Sequence, residues 1–129
     1  MGRIDLKDFE TDHDLERAAY EQQLAALQHR LELIQAAHIN QGLKAVIAIE
    51  GWDAAGKGGL VTRMMEPLDP RFTRVWSIGA PTRQEIGHHY LWRFWQRLPG
   101  SREIAVFDRT WYGRVLVERV DALTPKDRW

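Results

Sequence analysis

The segment EGWDAAGKGG, residues 50–59, follows the short apolar run KAVIAI and restricts the possible folds more than any other part of the chain. Gly51 and Gly56 are five positions apart and Lys57 comes next, which is the spacing of a phosphate-binding loop between a strand and a helix. Glycines let backbone amides turn toward a phosphate, while Lys57 and the amino end of the helix add positive charge. The residues predicted to bind phosphate here are Gly51, Ala54, Ala55, Gly56, Lys57, Gly58 and Gly59.

The loop lacks the Ser or Thr hydroxyl that usually follows the lysine and binds a metal, because position 58 is Gly58. A carboxylate in a phosphate cradle repels its ligand unless a divalent cation lies between them. Asp53 therefore becomes a candidate metal ligand, and Asp108, after the third predicted strand, is a second one. We expect Mg2+, or Mn2+, on these two acids. The alternatives are a turn-forming role for Asp53 and a helix-capping role for Asp108.

Hydrophobic periodicity predicts alternating strands and helices. A long amphipathic helix at 14–40 carries apolar residues at heptad-like spacing, and we expect it to pack on the domain's own sheet rather than in a coiled coil. The predicted strands are 44–49, 74–78 and 103–107, and the further helices are 60–65, 82–98 and 111–120. This order is typical of an α/β fold with a parallel sheet, in which the loop and Asp108 share the carboxyl edge.

Composition narrows the class of protein further. The chain has 129 residues and no cysteine, and it lacks an apolar run long enough to span a membrane or a basic-then-apolar start typical of export. We predict a cytoplasmic protein without membrane or nucleic-acid partners. Residues 1–50 carry five Lys and Arg against nine Asp and Glu, whereas residues 51–120 carry eleven against seven. The positive part holds the loop, which suits a polyanionic ligand.

Arginines follow Asp108 closely, and phosphoryl transfer depends on positive charge around the migrating group. Arg109 is the strongest candidate because it lies at the strand's carboxyl end, and Arg114 is a second phosphate ligand candidate. Trp111 and Tyr112 have two open interpretations, since they can stack on a nucleobase or pack at the sheet edge. The adjacent histidines at 88 and 89 point to different faces, so a shared metal site there is not expected.

The segments GWDAAGKGG, GAPT, HHYLWRFWQRLPG and FDRTWYGRVLVERV together resemble the family-2 polyphosphate kinases over residues 15–123. The resemblance implies a phosphate-loop kinase fold and magnesium-dependent phosphate transfer between inorganic polyphosphate and nucleoside mono- or diphosphates. It implies catalytic roles for Asp53, Lys57, Asp108 and Arg109, and adds Arg114 and Glu118 in the flanking motif. In that family a glycine after the lysine is usual, while Gly113 replaces a polar residue that many members carry.

The same family continues past this point with further strands and a basic lid that closes over the phosphates. We therefore expect a polar segment at 1–13 and, at 14–129, a phosphate-loop kinase-like domain that is incomplete at its carboxyl end. Thr124, Pro125 and Asp127 form a helix start just before Trp129. The natural protein is expected to continue, or this chain to borrow packing from another.

Three functional hypotheses follow. The first is polyphosphate:nucleotide phosphotransfer with an adenine or guanine nucleotide, AMP or ADP, by a homo-oligomer. The second is an ATP-dependent nucleotide kinase of related fold, which a test of the phosphate donor distinguishes. The third is a phosphate-binding or assembly module without turnover, suggested by the missing lid and the long helix.

Overall fold

The structure, a computed structural model, describes residues 15–126. The chain alternates helices and strands in the predicted order. The elements are α1 (Arg17–Asn40), β1 (Ala45–Ile49), α2 (Lys57–Met65), β2 (Thr73–Ser77), α3 (Arg83–Ile86), α4 (Trp92–Trp95), β3 (Ile104–Asp108) and a π-helix (Arg114–Arg119). Within these residues no helix has the length and apolar character needed to cross a bilayer.

The strands of the described region form a parallel sheet in the order β1-β3-β2. Ile49 of β1 and Ser77 of β2 both pair with Asp108 of β3, so the three carboxyl ends meet at one edge. Parallel strands in this order need crossover connections, and α2 with its loop supplies the one between β1 and β2. The α/β fold with a parallel sheet is thereby confirmed, with strand limits within one residue of those predicted.

Apolar side chains cover both faces of β3, as expected for a central parallel strand. Phe107 and Val106 are fully buried. Phe107 lies in a cluster with Ile78, Phe94 and Ala105, whereas Val106 packs with Ile49 and Ile104 beneath α2. The strand that ends in Asp108 is thus the best-packed element of the described fold.

The long helix α1 forms as predicted, but its apolar face is only partly covered. Leu24 and Leu31 are half-buried, whereas Tyr20, Leu27 and Ile34 of the same predicted stripe are exposed. The helix is attached mainly through the polar contacts of the glutamines on its inner face. Gln28 Nε2 donates to the Arg63 carbonyl at 2.9 Å, and Gln35 Nε2 donates to Thr73 Oγ1 at 2.8 Å. The contact of Gln35 with Thr73 of β2 agrees with the predicted packing of this helix on the domain's own sheet, although part of its apolar stripe stays exposed.

The prediction of a single helix at 82–98 was wrong, because the segment contains the two short helices α3 and α4. The Thr82 and Glu85 capping box is present and starts α3 as expected. The helix then ends at Gly87, and glycine costs about 1 kcal/mol relative to alanine inside a helix. His89 Nδ1 accepts from the Leu91 N–H at 3.4 Å, which gives the backbone a local alternative to helical bonding.

The last predicted helix, 111–120, is replaced by the shorter π-helix at 114–119. Valines at 115, 117 and 120 reduce the preference for a regular α-helix, because β-branched side chains crowd the preceding turn. The predicted polar segment at 1–13 and the Asp14 start of the first helix lie outside the described residues, as do Asp127 and Trp129 of the carboxyl-terminal helix start.

Candidate functional site

The phosphate-binding loop connects β1 to α2 without a side-chain cap. Gly56 is the N-cap residue of α2 and has φ +83°, in the left-handed region that glycine adopts without strain. A Cβ at Gly56 would meet no atom within 4 Å. Glycine is therefore favoured at this position by its backbone conformation and not by lack of space. Ala54 also has positive φ, at +65°. The amides at the start of α2 are consequently left for an anion rather than for a capping side chain.

Lys57 folds back over the loop that it follows. Its Nζ donates to the carbonyl of Gly51 at 2.8 Å and to the carbonyl of Trp52 at 2.7 Å. These two bonds hold the ammonium group over the cradle. A phosphate ligand would receive this cation already in place, in exchange for the two carbonyl contacts.

The turn after β3 lies opposite the loop. Asp108 Oδ1 is buried and has no hydrogen-bond partner among the described residues. A buried carboxylate oxygen without a donor is unfavourable by several kcal/mol, which points to a cation as its missing partner. Arg109 has φ +65°, a conformation that costs on the order of 1 kcal/mol or more in a residue with a side chain.

A cavity of about 520 Å³ lies between the loop and this turn. It opens at the carboxyl edge of the sheet, as the topology predicts. Its lining residues are Asp53, Ala54, Ala55, Gly56, Lys57, Gly58, Ser77, Ile78, Gly79, Asp108 and Arg109. The structure thus brings the four predicted catalytic residues to one cavity.

The two predicted metal ligands differ in their surroundings. Asp53 is 90% exposed and accepts a hydrogen bond from Arg109 Nη2 at 2.7 Å across the cavity mouth, whereas Asp108 lines the cavity and has one carboxylate oxygen, Oδ1, buried. Within residues 15–126, no group of three His, Asp or Glu side chains forms a metal cluster. Mg2+ commonly uses one or two carboxylates with phosphate oxygens and water, and the donors present fit that requirement.

The remaining predicted residues lie outside the cavity lining. Arg114 Nη1 forms an ion pair with Glu118 Oε2 at 2.6 Å and donates to Thr124 Oγ1 at 2.8 Å, and its guanidinium stacks over the Tyr90 ring at 4.5 Å. Trp111 packs edge-on against Phe94 at 5.7 Å, which is the core-packing alternative. The side chain of Tyr112 is half-exposed beside Trp111, and the residues at 51 and 59 flank the lining.

Sequence reasoning missed the wall formed by Ser77, Ile78 and Gly79. These residues carry no typical catalytic group, and the signal that could have identified them was their place at the carboxyl end of β2. Arg93 Nη2 donates to the Gly79 carbonyl at 3.0 Å. Arg93 in turn lies 3.6 Å from Glu85, which is buried.

Glu85 is connected to this wall through Arg93. Its carboxylate accepts from the Thr82 backbone N–H at 2.8 Å and pairs with Arg97 at 3.1 Å. The Thr82 N–H, together with the charges of Arg93 and Arg97, lowers the pKa of the Glu85 carboxyl below its usual value despite burial. The lowered pKa keeps the carboxylate ionised at neutral pH, and its pair with Arg93 holds that arginine beside the cavity wall.

The family model for polyphosphate kinase 2 matches residues 14–129. The polyphosphate:AMP phosphotransferase of Pseudomonas aeruginosa is 47% identical over 116 residues, which are 89% of this chain and 23% of that protein. The GDP-polyphosphate phosphotransferase of Mycolicibacterium smegmatis is 44% identical over 116 residues, 89% of this chain and 41% of that protein.

A solved structure gives the same result for the fold. A crystal structure described as that of a polyphosphate kinase 2 from Pseudomonas aeruginosa superposes with a TM-score of 0.85 at 42% identity, covering 95% of this chain and 27% of that one. The chain thus spans less than half the length of each of these proteins. The family match covers nearly the whole chain and agrees with the fold, and the chain therefore belongs to the polyphosphate kinase 2 family.

Proposed function

We propose that this site transfers a phosphoryl group between inorganic polyphosphate and a nucleoside mono- or diphosphate, with Mg2+ as the cofactor. The observation that carries the proposal is the single cavity that contains both the phosphate loop and the Asp108–Arg109 turn. The relatives described above are named for transfer with polyphosphate and with AMP or GDP, which supports the same reaction class here.

The loop and Lys57 bind the phosphate chain in this proposal. Residues 54–58 line the cavity, and the amino end of α2 favours negative charge there. Lys57 Nζ exchanges the carbonyls of Gly51 and Trp52 for phosphate oxygens. Because the ammonium group is already positioned, it can stabilise the negative charge that develops on the bridging oxygen during transfer.

The opposite side of the cavity supports the transferred group. Arg109 leaves its exposed pair with Asp53 and places its guanidinium on the phosphoryl oxygens, where bidentate bonding is available. Asp53 and Asp108 would hold Mg2+, which when bound neutralises charge on the phosphates. Phosphoryl transfer requires little covalent participation by the protein. Alignment of the phosphate donor with the nucleotide acceptor, together with charge stabilisation, therefore accounts for most of the catalysis.

The test supplies Mg2+ and long-chain polyphosphate as sole donor, with AMP, ADP and GDP in separate reactions, and measures the nucleotide products by chromatography. Lys57→Ala and Asp108→Asn are each expected to lower kcat/KM by at least about a hundredfold, a loss of roughly 3 kcal/mol in transition-state stabilisation. The matched controls are Lys44→Ala and Asp121→Asn, which change exposed residues away from the cavity and should leave the rate within about twofold.

Two other results would give different answers. Product with ATP as donor and none with polyphosphate would replace the proposal by an ATP-dependent nucleotide kinase. Binding of polyphosphate without turnover, weakened in Lys57→Ala, would leave a phosphate-binding or assembly module. The expected homo-oligomer stays a prediction, which light scattering of the purified protein tests.

A further inference from the structure

Glu50 connects the ends of the two strands that flank the cavity. It is the first residue after β1, and its Oε1 accepts two hydrogen bonds from one residue beyond β3. The backbone N–H of Thr110 donates at 2.6 Å and the hydroxyl of Thr110 donates at 2.5 Å. Thr110 is 4% exposed, so this contact is shielded from water and is correspondingly strong.

The contact fixes the backbone on one side of Arg109. Arg109 lies between Asp108 and Thr110, and its own N–H donates to the Ile49 carbonyl at 3.0 Å. Its left-handed φ of +65° persists only if the neighbouring backbone is held in place. Glu50 supplies that restraint through Thr110, and the hydroxyl of Thr110 then accepts from the Tyr112 N–H at 3.2 Å.

The side chain of Arg109 has little restraint of its own. It is 54% exposed and its pairing partner Asp53 is 90% exposed, so water competes for both groups. The direction of the guanidinium over the cavity is therefore set by the backbone of the turn rather than by packing of the side chain. A change at Glu50 would reach the cavity through this backbone.

We infer that Glu50 is a positioning residue, which holds the 108–110 turn so that Arg109 points at the phosphate chain. Its carboxylate is not among the cavity-lining groups, and its Oε1 is used by Thr110. This role rests on the proposed function, since it presupposes that Arg109 binds phosphate. Glu50 is thus a third acid beside the cavity, outside its lining, with a task that differs from those of Asp53 and Asp108.

A double-mutant cycle tests the inference on the full chain. Calorimetry measures binding of tripolyphosphate in the presence of Mg2+ to the wild type, Glu50→Ala, Arg109→Ala and the double variant. Glu50→Ala removes an acceptor of two charge-assisted bonds, and we expect it to weaken binding by about tenfold. In the Arg109→Ala background the same change should have less than about a twofold effect, because the group that Glu50 positions is gone.

Glu50→Gln separates positioning from charge, because its amide oxygen can still accept from Thr110. It should recover most of the affinity lost in Glu50→Ala, whereas a loss equal to that in Glu50→Ala would overturn the positioning role. The control is Glu103→Ala, which deletes a carboxylate that accepts the Gly100 N–H at 2.8 Å near the amino end of β3. It should leave tripolyphosphate affinity unchanged.

Amide hydrogen exchange provides a readout that does not depend on phosphate. Exchange at Thr110 should be faster in Glu50→Ala than in the wild type by at least about tenfold, and near the wild-type rate in Glu50→Gln. Should Glu50→Ala not fold, Thr110→Val carries the same cycle, since it removes one of the two bonds. Additive effects of Glu50→Ala and Arg109→Ala on binding would overturn the inference.

The failures of the two proposals can be distinguished. A wild type that does not bind tripolyphosphate contradicts the proposed function and, with it, the phosphate-directed role of Glu50. The restraint itself is then judged on exchange alone, and equal Thr110 exchange in the wild type and Glu50→Ala overturns it. Strong tripolyphosphate binding that is unaffected by Glu50→Ala leaves the proposed function intact and overturns the positioning role.

Discussion

The phosphate loop and the turn after β3 line the same cavity but are held in different ways. The turn follows the fully buried Phe107 and leads into Thr110 and Trp111. Thr110 is hydrogen-bonded to Glu50, and Trp111 packs against the core cluster that contains Phe107. The loop has no core residue of its own between Glu50 and Val61. It is held by backbone geometry and by the bonds from Lys57 to two of its carbonyls.

This difference indicates that the loop and the turn after β3 have different roles in ligand binding and in stability. Under the proposed function, a loop held by a few exchangeable hydrogen bonds would adjust to successive phosphates of a long chain. A turn fixed on the core keeps Asp108 and Arg109 in constant relation to the sheet. The comparison predicts that stability depends on the turn side, while the loop side contributes to binding with little effect on folding.

The largest expected effect is on the turn side. Phe107→Ala should lower the free energy of unfolding by about 4 kcal/mol, because a fully buried aromatic ring leaves a cavity beneath the turn. Urea denaturation followed by circular dichroism measures it. The loop-side counterpart is Val61→Ala in α2, a half-buried residue that packs against the sheet, with an expected loss of about 1 kcal/mol. Equal losses in the two variants would contradict the proposed difference in roles.

The wall at Ser77–Gly79 should contribute to the stability of the fold, as the turn does, and the variant Glu85→Gln tests this expectation. The amide can still accept from Thr82, but Arg93 and Arg97 lose their counter-charge, so we expect a loss of about 2 kcal/mol at neutral pH. Glu21→Gln, which changes an exposed pair on α1, should cost less than about 0.5 kcal/mol. Thermal or urea unfolding measures both, and similar losses would assign no special role to the Glu85 network.

The same residue predicts a pH dependence with a definite sign. The folded state lowers the pKa of Glu85 below its ordinary value of 4.5, so its contribution to stability is present above pH 4.5 and is lost as pH falls through the folded pKa. The stability difference between the wild type and Glu85→Gln should therefore be constant at neutral pH and narrow in acid. A difference that widens below pH 4.5 would show that the sign is wrong.

The smallest expected effect concerns the ion pair across the cavity mouth. Asp53 and Arg109 are 90% and 54% exposed, and a double-mutant cycle with Asp53→Asn and Arg109→Ala should give a coupling of less than about 0.5 kcal/mol in unfolding free energy. The pair Arg114–Glu118, at 16% and 33% exposure, is the matched comparison and should couple more strongly. A stronger coupling for Asp53–Arg109 would mean that this pair stabilises the fold.

Much of the fold could be predicted because its signals are local. A strand, a glycine-rich loop and a helix follow one another between residues 45 and 65, and the parallel order places Asp108 opposite the loop. The break at Gly87 was not predictable from periodicity, since the apolar residues on both sides of it keep a helical spacing. Exposed leucines on α1 were missed because glutamines, rather than apolar residues, make the long-range contacts.

The candidate site was predictable to the extent that its residues carry recognisable chemistry. The loop, Asp108 and Arg109 do, and they line one cavity. Arg114 has the same chemistry but is directed at Glu118 and Tyr90, and although the i,i+4 spacing permits the pair with Glu118, spacing along the chain does not reveal the stacking on Tyr90. Glu50 could not be identified because its partner is sixty positions away.

The bonds from Lys57 to its own loop have a consequence for the thermodynamics of ligand capture. An ammonium group that already has two oxygen neighbours loses little freedom on binding and exchanges one set of oxygen contacts for another. Under the proposed function, we expect the heat released by that exchange to be small and the gain in affinity to come mainly from ions displaced from the phosphate chain. We then expect the affinity for polyphosphate to depend more on ionic strength than on temperature.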